Sequence, residues 1–318
     1  MTKEPIISLS TSYLQDKFKH DGYAMLCKAA EMGFSYVELG HSTTVQSLEG
    51  IQRALQENVV KVSSLHNFCP IPPFASGACP NLYSPSTRSS SESEQWRRHT
   101  KTSLEFAEQC NAKVLVCHMG SLSYFFRKPD ADLSEYFADE KIPDSEELES
   151  NPRFRYTRDQ FLKKSLKKSE KSYARIKGNI AQLYDFLSKK NIKIGVENRD
   201  NAPELPLDWN FDSFMSGLSE FPLIKAWHDV GHSKKKELMR LNSQLELIES
   251  TIDKIVGWHL HDCSKSGKDH IAIGKGDIDF TALSKFFNPQ KHIFVLELNR
   301  AVRTQDAIDS LKRVQDML

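Results

Sequence analysis

A short run of β-branched and apolar residues followed by a helical stretch recurs eight times along the chain, and this alternation constrains the fold more than any other feature. Pro5 to Ser10, Tyr36 to Gly40, Lys61 to His66, Lys113 to His118, Ile192 to Glu197, Ile224 to Asp229, Ile255 to His261 and His292 to Glu297 read as strands. Helical patterning fills Gly22 to Met32, Thr44 to Glu57, Glu92 to Cys110, about Arg158 to Lys190, Asp208 to Leu218, Lys235 to Ile252, Phe280 to Phe287 (capped by Asp279) and Thr304 to Met317. Strands separated by helices pair in parallel through helical crossovers. Eight such units in 318 residues predict one α/β domain over 1–318, a (β/α)8 TIM barrel. An open doubly wound sheet ranks below it, because no strand runs into a glycine-rich phosphate loop.

Two connections are longer than a minimal barrel needs, 67–91 and 120–157, and both follow strands, so both belong over the C-terminal face of the barrel. Phe125-Phe126, Tyr136-Phe137 and the segment Arg153 to Tyr156 give the second the character of a packed lid. The basic run Lys163 to Lys177 reads as the solvated face of a helix. Net charge is +1, so no global field favours nucleic acid or an anionic membrane. No stretch approaches the roughly 20 apolar residues of a membrane span. The six cysteines form no C-x-x-C pair, and several sit in apolar runs, as Cys117 does in Val114 to Cys117. A reduced, cytoplasmic protein is the expectation.

The chemistry gathers at the strand ends. The third strand ends in His66, the fourth in His118, the fifth in Glu197, and the sixth in Asp229 with His232 three residues on; the seventh ends in His259 and His261, the eighth in Glu297. In a barrel these ends converge on the C-terminal mouth. Side chains alternate faces along a strand, so His259 and His261 share one face. Bringing Glu197, Asp229 and Glu297 together out of water is costly without a counter-charge. A divalent cation supplies it, and mixed carboxylate and imidazole ligands suit zinc or manganese, with cobalt and iron as alternatives.

With Val196-Glu197-Asn198, His228-Asp229-Val230-Gly231-His232, His259-Leu260-His261-Asp262, the block from Asp269-His270 through Gly274-Lys275-Gly276-Asp277-Ile278-Asp279-Phe280, and Leu296-Glu297, the chain resembles the xylose isomerase-like TIM barrels over nearly its whole length. That superfamily includes sugar isomerases, ketose 3-epimerases, inosose dehydratase-like proteins and apurinic-site endonucleases of the endonuclease IV type. The resemblance implies a metal site of Glu197, Asp229, His259 and Glu297. It makes Glu197 and Glu297 the acid–base pair that moves a proton beside a carbonyl, and it gives His232 a substrate hydroxyl or a second metal. His66, His118, His232 and His270 are further candidate ligands, close to the set that holds three zinc ions in the endonuclease branch. The chain departs from that branch where Lys268 stands two residues before His270, with Asp269 displaced by one, and in the segment Asn198 to Pro203.

Arg199 and Arg300 follow metal-ligand glutamates and are candidates to hold a phosphate or carboxylate, with salt bridges to neighbouring loops as the plainer alternative. Glu38 is placed to orient a ligand histidine, and Asp262 to orient His261 or to meet a substrate hydroxyl. His99 and His292 read as surface or structural, and Trp227, Trp258 and Phe68 as core packing, with apolar walls for a sugar ring as the alternative. The implied substrate is a small polyol, sugar or sugar phosphate, isomerised or epimerised; a keto-sugar dehydratase or lyase and a zinc phosphodiesterase on abasic DNA are the alternatives, and only the last requires nucleic acid. Assembly into a homo-oligomer is left open.

Overall fold

Short runs rich in β-branched and apolar residues, buried on both faces, make the strands, and the computed structural model, which describes residues 4–75, 77–122, 133 and 145–318, closes all of them into one parallel barrel. The strands are β1 (Ile6–Ser10), β2 (Tyr36–Leu39), β3 (Lys61–His66), β4 (Val114–Cys117), β5 (Lys193–Glu197), β6 (Ile224–Asp229), β7 (Ile255–Leu260) and β8 (Ile293–Leu296). They neighbour one another in chain order, and Ile6 pairs Ile293 to close the ring. The TIM barrel expected from the sequence is borne out. The lid expected from Phe125-Phe126 and Tyr136-Phe137 lies outside the described residues.

The helices that matter below are α1 (Gly22–Glu31), α2 (Leu48–Gln56), α3 (Ser90–Gln109), α4 (Pro152–Lys190), α5 (Phe211–Ser216), α6 (Val230–Leu238), α7 (Gln244–Thr251), α8 (Phe280–Ser284) and α9 (Thr304–Asp316). Two differ instructively from the sequence reading. Helix α4 begins at Pro152 rather than near Arg158, because Asn151 accepts from the N–H groups of Arg153 and Phe154 and the proline suits the first turn. The helical stretch after β6 is two helices, and α6 starts at once from the strand end: the Asp229 carboxylate caps it by accepting from His232 N–H at 2.7 Å. One residue therefore ends a strand and starts a helix, which holds His232 over the mouth.

Inside the barrel the layers change from apolar to polar toward the C-terminal face. Val114, Val116, Trp227, Val256, Ile293 and Val295 pack the lower barrel. Trp227 fills its centre, and a side chain at Gly257 would meet the indole at 2.2 Å, so glycine is needed there. The Trp227 ring lies 5.2 Å from the His259 ring, between this apolar layer and the polar mouth. No helix among the described residues is long and apolar enough to cross a membrane. All six cysteines are free.

His292 holds the base of β8. Its Nδ1 accepts from Trp258 Nε1–H at 3.0 Å and from Asn288 N–H at 3.1 Å. Burial, then the Lys291 charge, push its pKa down from 6.5 to about 4. A base with a depressed folded pKa stabilises the fold above its unfolded pKa and loses that contribution as pH falls through the window from 6.5 to about 4. The loss at the acid end is on the order of 3 kcal/mol. Denaturant midpoints between neutral and mildly acid pH are expected to fall, and His292→Asn, which keeps an acceptor for Trp258, should flatten that slope by about one proton.

Candidate metal centre at the barrel mouth

Alternate strand residues face inward, so β3, β5, β6, β7 and the ends of β4 and β8 deliver His66, Glu197, Asp229, His259, His118 and Glu297 to one polar layer, with Glu38 of β2 beneath it. Ligand-type atoms of Glu197, Asp229, His259 and Glu297 lie within 4.8 Å of one another. His259 Nδ1 is 3.1 Å from Glu197 Oε1, 3.0 Å from Glu297 Oε2 and 3.7 Å from Asp229 Oδ2. Atoms that each sit about 2.1 Å from a shared ion are separated by roughly 3–3.5 Å, so this spacing suits a cation. All four residues are buried.

The orientation of His259 is built from behind. Its Nε2 lies 3.0 Å from Glu38 Oε1, and the other Glu38 oxygen accepts from Ser64 Oγ at 2.8 Å. A carboxylate only accepts, so Nε2–H donates to Glu38, while Nδ1 faces the three carboxylates, where an ion taking the place of its proton would meet the lone pair. Burial opposes charge on His259, but Glu297 and Glu38 outweigh it and hold its pKa well above the ordinary value. The pocket is thus a strong attractor for positive charge. Burial also pushes the two glutamates up, but Arg199 and His118 at Glu197, and His259 and His270 at Glu297, hold both well below the usual carboxylate range.

A second group forms on the other oxygen of Glu197. His66 Nε2 is 3.4 Å and His118 Nε2 3.0 Å from Oε2. His66 Nδ1 faces the Asn67 carbonyl at 3.1 Å and His118 Nδ1 faces Asn81 Oδ1 at 2.7 Å, so both Nδ1 atoms carry the proton. Two imidazole lone pairs then confront a carboxylate, and His118 Nε2 has no hydrogen-bond partner. Burial, then Arg199, keep His118 well below its ordinary pKa, hence neutral. Donor-free lone pairs on a carboxylate fit a cation between them.

Asp229, His232, His261 and His270 make a third group. His232 Nδ1 faces the Asn198 carbonyl at 3.1 Å, leaving its Nε2 lone pair free. His270 faces Asp269 Oδ1 through Nδ1 at 3.1 Å and Glu297 Oε2 through Nε2 at 3.8 Å. Asp269 is thus seated behind His270 rather than in the group itself. It orients the His270 ring while Lys268 is exposed.

Residues expected to meet substrate have partners within the protein. His261 Nδ1 accepts from the His270 N–H at 2.8 Å, which puts the proton on Nε2, and Nε2–H donates to Asp229 at 3.0 Å. His261 is buried and positions Asp229; a side chain at Gly231 would meet its ring at 2.0 Å. Asp262 is buried too, and its carboxylate accepts four backbone N–H groups, from Cys263 and Ile278 on Oδ1 and from Gly274 and Gly276 on Oδ2. It folds the loop after β7 and is spent on that loop. Asp262→Asn aims an amide at N–H donors and is expected to cost about 3 kcal/mol in a urea titration. Arg199 meets Glu197 at 3.1 Å, Asp200 at 3.6 Å and Glu204 at 3.7 Å, a half-buried clamp among carboxylates. Arg300 pairs with Asp16 at the rim.

Sequence reasoning passed over His41, whose ring packs 4.8 Å from His66, and Asn81 and Glu204, which brace His118 and Arg199. His41 lies two residues past the end of β2, a signal of the same kind as His232 three residues past β6. Asn81 and Glu204 lie on loops, where no periodicity announces them. His99 stacks on Tyr83 and edges Phe68.

A family model described as the xylose isomerase-like TIM barrel matches residues 26–314. The chain belongs to that family. Among solved structures it is similar to 3-keto-D-glucoside 4-epimerase from E. coli (TM-score 0.67, 14% identity, 98% of this chain and 100% of that one). It is similar also to D-allulose 3-epimerase from Methylomonas sp. (TM-score 0.67, 12% identity, 100% of each chain) and to a D-tagatose 3-epimerase-like protein (TM-score 0.65, 15% identity, 98% and 96%). At these identities the likeness is one of fold. In sequence, an uncharacterized protein of Methanocaldococcus jannaschii is 33% identical over 93 residues, a match spanning 29% of this chain and 35% of that protein's length.

Proposed function

We propose that the chain is a divalent-metal-dependent isomerase or epimerase of a sugar or sugar phosphate, moving a proton beside a carbonyl. The observation that carries this is the convergence of Glu197 Oε1 and Glu297 Oε2 on His259 Nδ1, at 3.1 and 3.0 Å. Glu197, Asp229, His259 and Glu297 would hold the ion, with zinc or manganese best matched to the donor set. When bound, such an ion draws electron density from a carbonyl and so acidifies the neighbouring C–H.

The rest falls to the protein's own groups. Glu297 and Glu197 are ionised at neutral pH, as their depressed pKa values require, and each can take a proton from carbon or return one. His270 has its pKa raised to about 10, because Asp269 and Glu297 outweigh burial; Asp269 holds its Nδ1–H, and its Nε2 faces Glu297, where it can carry a proton or, on losing it, meet an ion. His232, neutral with its pKa pushed down to about 4 chiefly by burial, offers Nε2 to a substrate hydroxyl or a second ion. The solved neighbours named for ketose epimerases support the substrate class.

The test is incorporation of solvent deuterium into ketohexoses and ketopentoses, free and phosphorylated, at the carbon beside the carbonyl. Exchange with any of them supports the reading; none across the panel, with metal present, removes it. The lone pairs of His66 and His118 on Glu197 favour a second reading, metal-assisted phosphodiester hydrolysis, for which nicking of duplex DNA at an abasic site is the readout. Arg199, already on the same oxygen, weighs against it.

A further inference from the structure

The basic run on α4, which the sequence presents as a solvated helix face, instead forms one wall of a cavity of about 990 Å³ beside the mouth. Lys164, Lys167, Lys168, Lys171 and Arg175 recur at helical spacing and line it together. Arg88 lines the cavity from the loop after β3. Among the described residues no carboxylate ion-pairs with Arg88, Lys164, Lys167, Lys171 or Arg175. The two acids in the wall are already engaged: Glu92 accepts from Ser84 N–H at 3.0 Å and Thr87 Oγ1 at 2.5 Å, and Glu204 from Asn201 N–H at 3.0 Å. Burial, then the Arg88 charge, lower both Lys168 and Arg175 from their ordinary values, as expected where like charges crowd.

The cavity reaches the candidate metal centre. Asn81 and Glu204 form its inner end; Asn81 Oδ1 holds His118, and Glu204 holds Arg199. Its floor is fitted closely, because a side chain at Gly120 (φ +88°) would meet Ser84 Oγ at 1.8 Å and Ser86 Oγ at 2.4 Å. Several cations with hydroxyl groups between them suit an anion with many oxygens and more than one charge. A volume of about 990 Å³ takes a small molecule, and with an overall charge of only +1 the cluster is not one sample of a generally basic protein.

We propose that this groove binds the phosphate or diphosphate of a phosphorylated sugar whose reacting carbons lie at the mouth. This deepens the reading of the active site and rests on it for the sugar, but not for the phosphate. The test is calorimetric titration of the purified protein with inorganic pyrophosphate, with metal content measured on the same samples. Saturable binding is expected, weakening with salt. The triple variant Lys164→Gln/Lys167→Gln/Lys171→Gln should weaken it about tenfold at unchanged metal content and thermal transition. Arg88→Gln, a separate single change on the loop, should weaken it several-fold, which keeps the test decisive if the triple variant misfolds.

No binding by the wild type overturns the proposal. Binding that survives the lysine changes but disappears with a chelator places the anion on the metal and overturns it as well. Stronger competition by an unmodified DNA duplex, with a steep salt dependence, assigns the groove to nucleic acid instead. In each case the metal content reports separately on the mouth.

Discussion

Glu297→Gln is expected to lower turnover roughly a thousandfold with the fold intact, and Glu197→Gln to do the same. Each change keeps the shape and one acceptor oxygen of the side chain and removes the charge that takes up a proton. Both carboxyls are buried and held ionised by neighbouring cationic groups, so each is a standing base rather than a solvated surface acid. Loss of a ligand and loss of a base are separable: excess manganese or zinc that restores full turnover to Glu297→Gln would reduce that residue to a ligand. Near-normal turnover in either variant without added metal would remove the proton-transfer role.

Glu38→Gln, one layer below, is expected to weaken metal affinity about a hundredfold although Glu38 is absent from the ligand set. The Glu38 carboxylate keeps the His259 proton on Nε2, 3.0 Å away. A glutamine amide that turns its NH2 toward the ring favours the other tautomer and puts the proton on Nδ1, where the lone pair is needed. Competition against a chromophoric chelator measures the change. Unaltered affinity would mean that His259 holds its tautomer without Glu38.

Much of this site was legible before the structure because a barrel strand has a period of two. Once His259 was placed inward at the end of the seventh strand, the inward ends of the other strands followed, and Glu38 behind it as well. His261 shows where that logic stops. It shares the inward face with His259, but a backbone N–H from His270, nine positions away, fixes its tautomer, and only the folded loop reveals this. Asp262 shows the same limit: its four backbone partners come from a loop whose path has no periodicity. Arg199 follows Glu197 by two residues, and the sequence could not say whether it turns outward to substrate or back onto that same carboxylate. The basic face of α4 was visible as a charge run, but the loop after β3 that turns it into a wall was not.

Elemental analysis of the protein purified without chelator, beside Asp229→Asn and His259→Phe, tests the gathering of Glu197, Asp229, His259 and Glu297 around a cation most directly. At least one equivalent of zinc or manganese per chain is expected in the wild type and one equivalent fewer in each variant, with further equivalents reporting on His66, His118, His232 and His270. A wild-type protein that neither carries nor takes up a divalent ion, or variants that keep their full complement, would contradict it.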